Sequence, residues 1–172
     1  AFAAGEELEH EYWDSLQAGI TYTAQYLAKA IARDGEGATC LVEVQVEGTD
    51  TEQEAIQIAR TICGSSLVKT AIHGSDPNWG RIVAAAGRAG IRFKFEALSL
   101  WLGPYLLFED GLPCEVDQSQ VSSYIKSCQV SNYLVDDTVQ IRLSLGCGPG
   151  LGYAWGCDLS EDYVRINADY TT

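Results

Sequence analysis

The sequence has 172 residues, a length typical of one domain with a sizeable buried core. Its 24 acidic and 11 basic residues give a formal net charge of −13. Such a balance argues against binding to nucleic-acid phosphates or to anionic lipid surfaces, because both require clustered Lys and Arg. No apolar run approaches the roughly 20 residues of a transmembrane helix, so no membrane span is predicted.

The cysteines and histidines predict neither a metal site nor a redox site. No CxxC pair occurs, and the two histidines, His10 and His73, lie far apart in the sequence. Most of the cysteines are therefore expected to be small buried hydrophobes in a reducing cytoplasm, which makes the expected localisation cytoplasmic. The six are Cys40, Cys63, Cys114, Cys128, Cys147 and Cys157.

The first elements are an acidic lead-in and a long helix. Residues 1–23 are predicted to hold this lead-in and the start of the helix, and residues 24–172 to form one α/β domain. Apolar residues spaced by three and four predict that the helix continues to about Arg33, before a turn with two glycines. The residues of this apolar stripe are Leu16, Ile20, Ala24, Leu27 and Ile31.

Strand and helix patterns then alternate. Residues 41–47 predict a half-exposed strand, because the valines at 42, 44 and 46 alternate with polar residues at 43, 45 and 47. Thr51 and Glu54 form a capping box, which predicts a second helix that ends near Gly64.

The middle of the chain is rich in turns. Residues 74–81 have dense turn chemistry, and the Ala-rich residues 82–88 predict a short helix. Residues 97–109 are typical of two strands, and Asp117 is placed to cap a further helix.

The last third predicts a strand over residues 139–145, a glycine-rich bend over 146–152 and a returning strand over 153–158. For residues 162–172 a strand and a helix capped by Ser160 both remain open. Because helices alternate with strands and no repeat occurs, the predicted fold class is α/β, with α+β left open.

The glycine turn after the first helix is the first candidate site. A solvent-facing turn explains Arg33–Thr39 by itself, since Asp-Gly turns are common. As a site, the turn would use the Glu36 carboxylate to accept charge-assisted hydrogen bonds from an ammonium group. The glycines over 146–156 lack the spacing of a dinucleotide fingerprint, so they predict no such site.

The segment Asp76–Arg81 is the second candidate, because a loop that opens a helix can hold an anion. The structural alternative is that Trp79 anchors the loop while Asp76 caps the helix. Neither a GxSxG nucleophile elbow nor a Walker phosphate loop is present. The residues by themselves thus predict an acidic α/β domain of open function.

Five segments, taken in order, carry a more specific pattern. They are AIARDGEGAT at 30–39, LVKTAI at 67–72, DPNWGR at 76–81, AWGCDL at 154–159 and DYVRINADYTT at 162–172. Together they resemble the C-terminal part of the ornithine acetyltransferase (glutamate N-acetyltransferase) family of arginine biosynthesis. The resemblance runs from about residue 24 to the last residue.

The resemblance implies an N-terminal-nucleophile-like fold and an enzyme made as a self-cleaving precursor. The threonine that begins its β chain takes acetyl from N-acetylornithine or N-acetylglutamate and passes it to glutamate or ornithine. An oxyanion hole from the α chain stabilises the tetrahedral intermediates. The implied assembly has two α and two β chains and no cofactor, and acetyl-CoA is left open as a second donor.

Three residues match substrate-contacting positions of that family: Glu36, Asn167 and Thr172. The resemblance implies that Glu36 meets a substrate ammonium group and that the amide and the hydroxyl add hydrogen bonds. It assigns no role to Trp79 or Arg81, which are expected to be structural.

The sequence departs from the family pattern at its beginning. It starts at Ala1, contains no Met and lacks the Ala-Thr-Met-Leu cleavage motif, which predicts a processed chain or a part of a longer one. The resemblance then puts the nucleophile, the oxyanion-hole pair and a substrate-binding lysine upstream, and no catalytic residue in this chain. Cys40 and His73 also depart from the family and are expected to be tolerated variation, His73 as a packing residue. The alternative is a non-catalytic ligand-binding or structural homologue.

Overall fold

One mixed sheet of six strands organises residues 10–169, the part of the chain that the computed structural model describes. The strands are β1 (Leu41–Gly48), β2 (Ser99–Leu102), β3 (Tyr105–Glu109), β4 (Leu112–Pro113), β5 (Thr138–Ser144) and β6 (Gly148–Cys157). The α-helices are α1 (Trp13–Arg33), α2 (Glu52–Cys63), α3 (Ser66–His73), α4 (Trp79–Gly87), α5 (Gln118–Gln129) and α6 (Glu161–Ala168), and short 3-10 turns lie at His10–Tyr12 and Phe95–Ala97.

The strand order brings distant parts of the sequence together. The order is β4-β3-β2-β5-β1-β6, in which β1 and β5 are parallel and the other neighbours are antiparallel. Leu41 at the start of β1 pairs with Cys157 at the end of β6. The turn that precedes β1 and the helix that follows β6 therefore meet at the same end of the sheet.

The core lies on the sheet face covered by α2, α4 and α5. The Val residues of β1 point into it, as their alternation with polar residues predicts. The capping box is confirmed: Thr51 Oγ1 accepts from Glu54 N, Glu54 Oε2 accepts from Thr51 N, and Gly64 ends the helix. Buried residues at the centre of the core are Val42, Val44, Val46, Ala55, Ile58, Ala59, Ile62, Val139, Ile141 and Leu143.

The composition of the glycine-rich segment 146–152 predicts a bend. The structure shows a bend only at its beginning, because β6 already begins at Gly148. The glycines serve a close approach of α2 to the strand. A Cβ added at Gly152 would lie only 2.5 Å from the backbone nitrogen of Ile56. Helix and strand thus pack at a distance that a side chain would prevent.

Helices α1 and α6 are unusually exposed. Of the two alternatives for residues 162–172, the described part adopts the helix: α6 ends at Ala168 and its first turn is capped by Ser160, and residues 170–172 lie outside the described residues. Neither α1 nor α6 contains a buried residue. No helix within residues 10–169 has both the length and the apolar character needed to cross a membrane.

Candidate functional site

The structure brings two of the three predicted substrate-binding residues into direct contact. Asn167 Nδ2 donates a hydrogen bond of 2.7 Å to Glu36 Oε2 and a second of 2.8 Å to Tyr163 O. The two residues are 131 positions apart in the sequence. The third residue, Thr172, lies outside the described residues, so its place in the site stays a prediction.

The Glu36–Asn167 pair presents acceptor atoms to solvent. Both side chains are exposed, and within residues 10–169 neither Glu36 Oε1 nor Asn167 Oδ1 has a hydrogen-bond partner. A carboxylate oxygen and an amide oxygen side by side can accept hydrogen bonds from one ammonium group. The pair therefore forms one wall of a site that suits a cationic amine.

Ser160 links the turn that carries Glu36 to the helix that carries Asn167. Its hydroxyl donates to Gly37 O at 2.7 Å and accepts from Tyr163 N at 3.2 Å, so one atom caps α6 and binds the turn that carries Glu36. Gly37 has φ +68°, a conformation that side chains other than glycine rarely adopt. A Cβ there would lie 2.7 Å from Ser160 Oγ, so glycine also permits the close approach of α6.

A buried carboxylate, Asp158, fixes the sheet end beneath the pair. It accepts from Thr39 N at 2.7 Å, Thr39 Oγ1 at 2.8 Å, Cys40 N at 3.2 Å and His73 Nδ1 at 2.7 Å. Its side chain is inaccessible to solvent, so these donors replace the water that an ionised carboxylate requires. Asp158 joins the end of β6 to the start of β1 and to α3.

Asp158 is a residue for which the sequence predicts no role, and His73 is one that it predicts to be a packing residue. The signal that was available is an acidic residue placed directly after a strand rich in glycine and aromatic residues. His73 is half-buried and hydrogen-bonded to this acid, which is more specific than packing.

Arg33 connects the end of α1 to the same region. Its Nε lies 2.6 Å from Oδ2 of the buried Asp137, and its two terminal nitrogens donate to Ala38 O and Thr39 O at 3.0 Å each. The guanidinium also lies over the Tyr133 ring, 5.5 Å from its centroid. These contacts hold the chain on both sides of Glu36, so the turn is fixed at its two ends.

The loop 76–81 has a structural role in the described chain. Trp79 packs on Phe108 with ring centroids 5.0 Å apart, and Arg81 donates to a carbonyl of α3 at 3.0 Å. The residue that caps α4 is Asn78, which accepts from Arg81 N at 3.1 Å, and not Asp76. This corrects the predicted cap, and Arg81 has protein partners, as the structural alternative for this loop predicts.

The six cysteines are free thiols with different environments. The prediction that most are buried is wrong, since only Cys40 and Cys128 are buried and Cys147 is exposed. Burial, with Asp158 nearby, raises the pKa of Cys40 far above its usual range, and burial raises that of Cys63 to about 12. In residues 10–169, no three His, Cys, Asp or Glu side chains are grouped as metal ligands would be.

Comparison with known proteins relates this geometry to one family. The chain matches the ArgJ family over residues 1–172. It is 64% identical over its whole length to the arginine biosynthesis bifunctional protein ArgJ of Prochlorococcus marinus (strain MIT 9313). It is 59% identical, again over its whole length, to the protein of the same name from Parasynechococcus marenigrum (strain WH8102). It spans 40% of the length of each of these relatives.

A solved structure agrees with the fold. The crystal structure of the arginine biosynthesis bifunctional protein ArgJ from Bacillus halodurans superposes with a TM-score of 0.87 at 42% identity, covering 97% of this chain and 76% of that one. The predicted α/β class and the N-terminal-nucleophile-like family fold are thereby confirmed. Sequence, fold and the ordered motifs around Glu36 and Asn167 agree that the chain belongs to the ArgJ family.

Proposed function

We propose that this chain is part of an ornithine acetyltransferase, a glutamate N-acetyltransferase of arginine biosynthesis. The enzyme moves acetyl from N-acetylornithine to glutamate through a threonine acyl-enzyme, and this chain supplies substrate-binding residues and not the nucleophile. The observation that carries the proposal is the contact between Glu36 and Asn167, which leaves two acceptors for an amino-acid ammonium group. The names of the ArgJ relatives support the pathway.

The chemistry divides between this chain and the rest of the protein. A threonine hydroxyl attacks the acetyl carbonyl of N-acetylornithine, ornithine leaves as the free amine, and the amine of glutamate then takes the acetyl group from the threonine ester. Backbone and side-chain donors of an oxyanion hole would stabilise each tetrahedral intermediate. Glu36 and Asn167 hold the ammonium end of the substrate, so they set where its acetylated nitrogen lies.

The complete ArgJ protein is longer than this chain, which spans 40% of the length of its relatives. We place it in the cytoplasm as an assembly of two α and two β chains that requires no cofactor. Ornithine and N-acetylglutamate are its products in the transfer described. The word bifunctional in the relatives' names supports a second activity, for which acetyl-CoA would be the alternative acetyl donor.

The decisive experiment is Glu36→Gln in the complete ArgJ protein. A charge-assisted hydrogen bond contributes roughly 1.5–3 kcal/mol, so KM for N-acetylornithine should rise by roughly ten- to a hundredfold. Glu161→Gln is the matched control, because Glu161 is an exposed acid on α6 with no hydrogen-bond partner in the described chain. Unchanged kinetics of Glu36→Gln would remove Glu36 from the site.

A non-catalytic homologue is the alternative function. The intact mass of the complete protein after incubation with N-acetylornithine distinguishes the two. Addition of one acetyl group, lost again on addition of glutamate, supports the acetyltransferase. A protein that neither takes up acetyl nor transfers it would support the alternative.

A further inference from the structure

Helix α1 is exposed on every side over residues 13–27, its apolar residues included. Two residues of its C-terminal third attach it to its own domain: Lys29 Nζ lies 2.7 Å from Glu43 Oε2, and Arg33 pairs with Asp137. Its apolar residues face outward, with Leu16, Ile20 and Leu27 respectively 42%, 41% and 53% exposed. A helix of 21 residues normally gains its stability by packing its apolar face, so this face is incomplete by itself.

Helix α6, which carries Asn167, is exposed in the same way. None of its residues is buried, and its apolar side chains Tyr163, Val164 and Ile166 are all exposed. Exposed apolar residues on two helices around one polar pair mark a protein–protein contact surface.

We propose that α1 and α6 form one docking surface for the remainder of the ArgJ protein. The chain spans 40% of the length of its curated relatives, so a large part of an ArgJ protein lies outside it. Because both parts belong to one protein, the cell makes the remainder in the same amount as this chain. A permanent partner of this kind suits an apolar surface, because permanent interfaces are more hydrophobic than transient ones.

The Glu36–Asn167 pair identifies the remainder, and not a second copy of this chain, as the occupant. This step rests on the proposed function: a nucleophile outside this chain must come within about 3–3.5 Å of the acetyl group of the bound substrate. Glu36 follows α1 and Asn167 lies in the last turn of α6, so a segment that brings the nucleophile there reaches the C-terminal ends of both helices. Docking also excludes water from the pair, which strengthens the interaction of Glu36 with an ammonium group.

The test is site-specific photo-crosslinking in the complete ArgJ protein. Ile20 is replaced by p-benzoylphenylalanine, the protein is irradiated, and the joined peptides are identified by mass spectrometry. We expect adducts between position 20 and peptides of the remainder. Ser15, which lines the same groove of α1, is a second position should Ile20 not tolerate the change.

Leu112 provides the matched control. It is 68% exposed and lies in β4, at the sheet edge opposite β6, so the same photoreactive residue there should give no such adduct. Adducts of position 20 with α1 of a second copy, or no adduct from either position on α1, would overturn the docking surface. The readout requires no catalysis, so it is independent of the kinetics that test the proposed function.

Discussion

Ser160 Oγ lies 2.7 Å from Gly37 O, and through this hydrogen bond the helix of Asn167 is attached to the turn of Glu36. The same oxygen caps α6 by accepting from Tyr163 N. Because one hydroxyl serves both purposes, the separation of Glu36 and Asn167 depends on a residue that contacts neither side chain. The site is therefore sensitive to changes at its base.

We predict that Ser160→Ala weakens substrate binding more than it slows catalysis. Loss of the cap costs about 1 kcal/mol. Loss of the hydrogen bond to Gly37 costs about another 1 kcal/mol and frees α6 to move away from Glu36. In the complete ArgJ protein, steady-state kinetics should show KM for N-acetylornithine raised several-fold and kcat nearly unchanged.

The control for this prediction is Asp117→Ala. Asp117 caps α5 by accepting from Ser119 N, away from the Glu36–Asn167 pair. Its loss should lower the free energy of unfolding by a similar amount and leave KM unchanged. Ser160→Thr keeps the hydroxyl and should restore KM, whereas an equal KM effect of Asp117→Ala would reject the positioning role.

Gly37→Ala tests the close approach directly. The new Cβ would lie 2.7 Å from Ser160 Oγ and 2.9 Å from Tyr163 N, at a residue with φ +68°. Strain and displacement of α6 should together cost more than about 2 kcal/mol in thermal or urea unfolding. Gly90→Ala is the control, because Gly90 has φ +77° but open space around it. Equal losses of unfolding free energy in the two variants would show that backbone strain, and not the close approach of α6, causes the loss at Gly37.

Asp158→Asn tests the buried carboxylate. Its oxygens accept four hydrogen bonds, and an amide group would turn a donor toward donors such as Thr39 N and His73 Nδ1. We expect a loss of about 3 kcal/mol in the free energy of unfolding, measured by urea denaturation. Asp162→Asn removes an exposed carboxylate that pairs with Arg165, and should cost less than about 1 kcal/mol. A mild effect at Asp158 would contradict its structural role.

Local signals predicted much of the fold. The alternation in β1, the Thr51–Glu54 capping box and the Asp117 cap are decided by neighbouring residues, so the sequence alone identifies them. Helix α1 was also predicted, but the outward direction of its apolar stripe was not. Periodicity shows that a helix has an apolar face and does not show what that face contacts.

The structural features that the sequence does not predict depend on tertiary contacts. The glycines of β6 have the composition of a bend, and only the packing of α2 against Gly152 explains why they form a strand. The contact between Glu36 and Asn167 follows from the antiparallel pairing of β1 with β6, which no local pattern reveals. Asp158 is not predictable locally, because its four donors come from two segments that are distant from it in the sequence, residues 39–40 and His73.

Two thiols with raised pKa values, Cys40 and Cys63, make stability fall at alkaline pH. Burial and Asp158 raise the pKa of Cys40 above its ordinary value of 9.0, and burial raises the pKa of Cys63 to about 12. Above about pH 9 the unfolded chain releases these protons while the folded protein keeps them. The unfolded state then binds fewer protons, so the free energy of unfolding falls by up to about 1.4 kcal/mol per pH unit for each thiol.

Urea denaturation under reducing conditions between about pH 8 and pH 11 measures this slope. Cys40→Ala should lower stability at every pH, because it leaves a cavity, but should make the decline above pH 9 less steep. Cys147→Ser is the control, since that side chain is exposed and its removal should leave the slope unchanged. The difference in slope isolates Cys40 from the lysines and tyrosines that titrate in the same range. Parallel curves for Cys40→Ala and the unaltered chain would show that the Cys40 thiol does not contribute to the alkaline loss.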